Sequence, residues 1–184
     1  MPLQNTQDQY GAVAKCFHWV IALLIIGMLC VGLYMTKVEL SMPDKMQIFG
    51  LHKSFGITVL VLASLRLLWR LINTHPIPLP SHQQWEKALA KLVHFLLYVA
   101  MFLMPLTGWI GSSAKGFSVS VFHLFTLPDL VKPDKGMADL MWTIHEYAAY
   151  GLIVIIGLHF AGAMKHAVID RDGTLRRMLP FTRP

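Results

Sequence analysis

Two histidines set fourteen residues apart in one apolar stretch, His145 and His159 within LMWTIHEYAAYGLIVIIGLHFAGAM (Leu140 to Met164), constrain this chain more than any other feature. A helix turns about 100° and rises about 1.5 Å per residue, so the second ring falls within about 40° of the first and roughly 21 Å farther along the axis. Both therefore face one side of a membrane-length helix at two depths. An imidazole in hydrocarbon is costly unless it is paired. Two such positions, four turns apart, point to two stacked sites.

The rest of the chain supplies the surroundings that such a helix needs. The 184 residues are 55% hydrophobic with positive mean hydropathy, which suits one membrane domain rather than a soluble core. Phe17 to Thr36 runs without a charge, a second apolar run goes from His52 to Ile72, and a third goes from Leu92 to Ala114 with Pro105 inside it. These predict an all-α membrane protein, a four-transmembrane-helix bundle in one domain with helices at about 12–36, 52–72, 87–112 and 138–168. The first run is too long for the apolar core of a signal peptide, and no small-residue cleavage site follows it. Residues 36–50 read as a loop. Asn73 to Gln84, with Pro76, Pro78 and Pro80, reads as a stiff extended linker. Lys115 to Met137, with Phe117, Phe122 and Phe125, reads as an amphipathic segment lying on the membrane surface. His75, His82, His123 and His166 fall in these connections or in the tail and read as loop or surface residues.

Cysteine chemistry is excluded. Cys16 and Cys30 lie fourteen residues apart on one helix, roughly 21 Å, too far to bridge. No CxxCH offers covalent haem attachment and no CxxC offers zinc or an iron–sulfur cluster. Any cofactor must be held without thiolate.

Charge gives the orientation. If the N-terminus is cytoplasmic, ten of the sixteen Lys and Arg fall on the cytoplasmic side, five of them in the tail (Lys165, Arg171, Arg176, Arg177, Arg183), against six outside. The positive-inside rule then places both termini in the cytoplasm and requires an even number of spans, in agreement with four. The net charge of +6 is read as this topology signal, since no nucleic-acid motif accompanies it.

With that topology the histidines form two layers. His18 and His159 lie toward the cytoplasm, His52 and His145 toward the outside, and each pair can supply both axial nitrogens to a haem iron between helices. One turn beyond each stands a small residue, Ala22, Gly56, Ala149 and Ala163, leaving the gap that a porphyrin edge needs. His94 is followed by Tyr98 instead and is left out of the ligand set. It remains a candidate to hydrogen-bond a quinone carbonyl or a haem propionate, or a packed helix residue. Arg66 and Arg70 are cofactor-binding candidates, suited to a propionate, a quinone headgroup or a lipid phosphate; a stop-transfer charge at a helix end is the plainer alternative.

FHW at Phe17 to Trp19, LHKSFG at Leu51 to Gly56, VHFLLY at Val93 to Tyr98, WTIHE at Trp142 to Glu146, GLHFAGAMKH at Gly157 to His166 and the terminal DGTLRRMLP together resemble the prokaryotic cytochrome b561 family, which is also similar to the cytochrome b subunits of nickel–iron hydrogenases and formate dehydrogenases. The blocks come in order and cover nearly the whole chain. The resemblance implies a multi-pass protein of the bacterial inner membrane with two haem b groups. It implies His18 and His159 as ligands of the cytoplasmic haem and His52 and His145 as ligands of the periplasmic one. Electrons would pass between a periplasmic donor and the quinone pool, with ubiquinone or another quinone as substrate.

Some members of that family look like superoxide oxidases, so superoxide is the specific donor candidate. Six Lys outside face Glu39, Asp44, Asp129, Asp134, Asp139 and Glu146 and sum to zero, which leaves only a local patch of Lys53, Lys115, Lys132 and Lys135 to attract an anion. A second reading is a membrane-anchor electron-transfer subunit of a larger redox complex, fed by a periplasmic redox protein docked on the segment from Lys115 to Met137. A third is a haem-free scaffold or small transporter with packed histidines.

Overall fold

The computed structural model describes residues 2–79 and 82–180. Pro80 of the linker and Arg183 of the charge count lie outside the described residues. Four helices follow one another, α1 (Ala12–Lys37), α2 (Met42–Ile72), α3 (Gln84–Ala114) and α4 (Lys135–Met164), each long and apolar enough to cross a membrane.

Their ends follow local chemistry. α2 starts at Met42, ten residues before the expected His52, so most of the loop expected over residues 36–50 is helix. Ser41 caps it by accepting a hydrogen bond from the Asp44 backbone, Pro43 stands in the first turn where a missing N–H costs nothing, and Asp44 complements the helix dipole. α3 begins three residues ahead of expectation because Gln83 and Glu86 form a reciprocal capping box. Asp134 caps α4 through the Met137 N–H. α4 does not run as α-helix to residue 168: from Lys165 to Asp170 it widens into a π-helical turn that stops at Arg171, whose φ of +53° is left-handed.

The segment from Lys115 to Met137 is not one amphipathic surface element. It holds a small antiparallel hairpin, β1 (Ser120–Val121) and β2 (Phe125–Thr126), turned at Phe122 and His123, which have φ of +47° and +59°. Val119 and Val121 are buried against the bundle end, and the Ser54 hydroxyl donates to the Ser120 carbonyl while accepting from the Phe122 N–H. Phe117, Leu124, Phe125 and His123 stay exposed.

Many large apolar side chains on the helices face outward. Leu71 and Ile72 of α2, Phe95 of α3 and Val154 of α4 are largely exposed, the pattern of helices whose outer solvent is lipid. The compact core is Ile21, Ala63 and Met101, joined by Phe17, Ile25, Tyr98 and Phe102, and it ties α1, α2 and α3 together at mid-height. α1 packs on α2, α2 on α3 and α3 on α4. A wedge therefore stays open between α4 and the α1–α2 pair.

The first and last described stretches of the chain lie at one end of the bundle. There Lys15 donates to the Leu179 carbonyl and Trp19 to that of Met178, lashing the tail to the start of α1. Asn5 bonds Asn73 and Thr74, and Arg177 donates to Ile77, so the N-terminal segment, the linker and the tail cover this end together. Asp172 sits at the centre of this cover with its side chain only 6% exposed. Burial alone would raise its carboxyl, but hydrogen bonds from the Thr174 hydroxyl and N–H and from His166 prevail and hold it at about 2.

Candidate functional site

The antiparallel succession brings the four histidines together as two pairs. His18 of α1 lies beside His159 of α4 with ring centres 6.1 Å apart, toward the end covered by the linker and the described part of the tail. His52 of α2 lies beside His145 of α4 at 6.4 Å, toward the end that holds the hairpin. Edge-to-face packing of rings spans roughly 4.5–7 Å, so the separations by themselves are permissive. A metal ion held by both imidazoles would set a similar value: about 2.0 Å to each nitrogen and about 1.1 Å more to each ring centre gives about 6.2 Å.

The polar atoms around the His52 pair ask for a further partner. Nδ1 of His145 lies 3.0 Å from the Thr107 hydroxyl, whose own proton is directed to the Leu103 and Met104 carbonyls. Thr107 thus accepts from His145 Nδ1–H, which leaves Nε2 with the free lone pair. Nδ1 of His52 is buried without any hydrogen-bond partner. An orphaned buried nitrogen is unfavourable by about 1–3 kcal/mol, which a ligand or a water would relieve.

A cavity of about 480 Å³ opens at this pair, within the size range of cofactor pockets. Met28 and Gly32 of α1, Gly56 of α2, Gly108 of α3 and Ala149 of α4 line it along with the two histidines. The glycines keep it open: a Cβ on Gly108 would stand 3.4 Å from His145 Cε1, and one on Gly32 would stand 3.5 Å from His52 Cε1. The small residues Gly56 and Ala149 expected beside these histidines are in its wall. A flat, largely apolar group with a metal at its centre fits this donor set and this shape.

The other pair is more polar. Arg66 of α2 is half-buried and brings Nη2 to 3.4 Å from His18 Nδ1. The guanidinium only donates, so this contact requires a lone pair on Nδ1. Arg66 and Arg70 also lie over the Tyr98 ring, each 5.6 Å from its centre. His94 of α3 makes a third ring here, 5.3 Å from that of His159. Sequence reasoning placed His94 at this depth without finding that contact.

Toward the hairpin, Lys115 stands 4.9 Å from the centre of the Trp142 ring, which lies 5.9 Å from His145. Lys53 donates to Ser112 and to the Ser118 carbonyl, and both lysines line the cavity. Lys135 is tied to Asp139 at 2.7 Å. Two residues expected to be ordinary, His82 and His166, are instead partly buried and meet around Asp172, with ring centres 4.5 Å apart. Sequence reasoning missed them, and missed Thr107, because the signal lies in contacts between segments and not in spacing.

The model of prokaryotic cytochrome b561 matches residues 9–181. Cytochrome b561 homolog 2 of Escherichia coli K12 is 36% identical over 179 residues, covering 97% of this chain and 95% of that protein. Cytochrome b561 homolog 1 of the same organism is 33% identical over 129 residues, 70% of this chain and 73% of its own length. A protein of Yersinia pestis named probable superoxide oxidase CybB is 28% identical over 179 residues, covering 95% of this chain and 98% of that one. The chain belongs to the prokaryotic cytochrome b561 family, as a multi-pass membrane protein that binds haem b and transfers electrons.

Proposed function

We propose that the chain is a di-haem cytochrome carrying electrons across the bacterial inner membrane, with His18 and His159 holding one haem b and His52 and His145 the other. The observation that carries this reading is the pairing of all four histidines, two by two, at opposite ends of one bundle. Haem would supply one-electron chemistry at its iron, and ligation by two imidazoles would suit electron transfer rather than oxygen binding. The residues do the rest. Thr107 holds His145 in the tautomer that presents Nε2, Gly32 and Gly108 keep the rings accessible, and Arg66, which contacts His18, would be placed to hold a propionate carboxylate.

The positive-inside count supports cytoplasmic termini, which puts the His18 pair inside and the His52 pair outside. Arg66, Arg70 and His94 then form the polar surroundings of the inner site and would hold a propionate or the oxygen of a quinone such as ubiquinone. At the outer end Lys53 and Lys115 border the cavity, which suits an anionic donor. Superoxide is the specific candidate, in keeping with the name of the Yersinia pestis relative. Two superoxide anions would each give up one electron and leave as dioxygen, while one quinone takes both electrons and two protons to become quinol.

The test is made on the purified protein in detergent. Superoxide generated enzymatically should reduce the haems and, with a soluble ubiquinone analogue present, drive quinol formation in a two-to-one ratio. Haems that a quinol reduces but superoxide does not would reject superoxide and favour a protein donor. The exposed Phe117, Leu124 and Phe125 on the hairpin support that second reading of a membrane-anchor subunit, which a co-purifying redox partner would establish.

A further inference from the structure

At the end opposite the hairpin, two stretches about ninety residues apart in sequence converge on one point. The linker contributes His82, the π-helical turn contributes His166 and Asp170, and the turn after it contributes Asp172 and Thr174. Nε2 of His82 lies 3.0 Å from Asp172 Oδ2, and Nδ1 of His166 lies 2.8 Å from the same oxygen and 2.9 Å from Asp170 Oδ2. We propose that His82, His166 and Asp172 bind a divalent transition metal, Zn²⁺ being the best match to two imidazoles and a carboxylate with water as the fourth ligand.

The donor atoms meet the geometric requirement. A tetrahedral zinc ion with ligands at about 2.0 Å spaces them about 3.3 Å apart, and the ligand atoms of His82, His166 and Asp172 all lie within 4.8 Å of one another. Hydrogen bonding alone serves the cluster poorly. Nε2 of His82 faces both Asp172 and Thr174 Oγ1, each at 3.0 Å, and Nδ1 of His166 faces two carboxylates, yet a single N–H serves one acceptor well. A cation at the shared point satisfies both nitrogens through their lone pairs.

Charge and shielding agree. With neutral imidazoles, Asp170, Asp172 and Glu86 against Lys165 leave a net charge of −2 around the point, which one divalent ion balances. Lys165 bridges Glu86 and Asp170 beside the point and holds both carboxylates in place. Thr174 N–H holds the other oxygen of Asp172 at 2.8 Å, the kind of outer contact that fixes a ligating carboxylate. The side chains of His82, His166 and Asp172 are 14%, 15% and 6% exposed. His166 and Asp170 stand four apart on a π-helical turn, a distortion often found at functional sites.

The consequence is a clamp. Zinc here would join the linker to the C-terminal end of α4 and hold closed the cover over the inner histidine pair. The site does not depend on the haem assignment, and the experiment keeps the two apart.

The test uses the full-length protein, tag removed and loaded with haem, freed of metal with EDTA and titrated with Zn²⁺ by calorimetry. One saturable Zn²⁺ per chain is expected, with X-ray absorption giving imidazole and oxygen ligands at about 2.0 Å. Asp172→Asn and His82→Gln should each weaken binding at least tenfold with an unchanged haem spectrum, which certifies the fold. His123→Ala, on the exposed hairpin, should bind as the parent does. No saturable binding, or equal binding by parent, Asp172→Asn and His82→Gln, would overturn the proposal and leave a hydrogen-bonded network.

Discussion

The Thr107 hydroxyl of α3 stands 3.0 Å from Nδ1 of His145 on α4, and because its own proton goes to the Leu103 and Met104 carbonyls it acts on the ring as an acceptor. Together with the Met104 carbonyl, this contact favours the His145 tautomer that leaves Nε2 as the ring's available ligand. Thr107→Val removes the acceptor while keeping the shape. Outer partners of a ligating histidine are worth 10–100-fold in affinity, and the nearby Met104 carbonyl can take over part of the role. A loss of about tenfold in haem affinity at the hairpin end is therefore expected, with Thr107→Ser close to the parent, as measured by haem titration of stripped protein.

Gly108 faces the same ring. A Cβ there would stand 3.4 Å from His145 Cε1, close enough that the ring must give slightly, and a branched side chain would fill space that a planar ligand needs. Gly108→Ala should retain haem at both ends. Gly108→Val should lose that at the hairpin end and keep the other, giving a halved haem content and a single midpoint in a redox titration.

Arg66 tests the opposite end. A positive charge near a haem favours its reduced form, so Arg66→Gln should lower the midpoint potential of the haem at the His18 pair. A unit charge at about 8 Å with an effective dielectric constant near 20 contributes about 2 kcal/mol, so a fall of several tens of millivolts is expected, while Arg66→Lys should shift much less. Potentiometry resolves the two haems, and an equal shift in both would place Arg66 elsewhere in the electron path.

Asp172 gives the cover a pH dependence in EDTA-treated protein. Its carboxyl is held at about 2, below the ordinary aspartate value, so the native state favours the ionised form. The stability it contributes is complete above about pH 4 and declines as pH falls toward 2. The gap in melting temperature between the parent and Asp172→Asn should be constant from pH 5 to 7 and should narrow below pH 4. A gap that widens on acidification would contradict the sign.

The two histidine levels were legible because helical spacing converts sequence separation into depth: fourteen residues separate His145 from His159, and the alternation of helix direction then assigns His18 and His52 to their levels. The apolar length of each span was legible for the same reason. The start of α2 was not, since Ser41, Pro43 and Asp44 are as common in turns as at a helix N-terminus, and the capping contact decides between them. The hairpin was hidden because its strands are two residues each, too short for an alternating pattern to register. His82 and Asp172 are ninety residues apart and meet only once the linker and tail fold over the same bundle end. Thr107 looked like one more neutral residue in a span, because a hydroxyl that bonds its own helix carries no mark of the ring it also serves.

The most direct measurement is the number of haems per chain in detergent-purified protein, by pyridine haemochrome, for the parent and for single alanine substitutions at the four histidines. Two low-spin b-type haems in the parent are expected. His52→Ala and His145→Ala should each retain one haem with one midpoint potential, and His18→Ala and His159→Ala should each retain one haem with the other. One haem in the parent, or a full complement after any of the four substitutions in folded protein, would contradict the two-pair account.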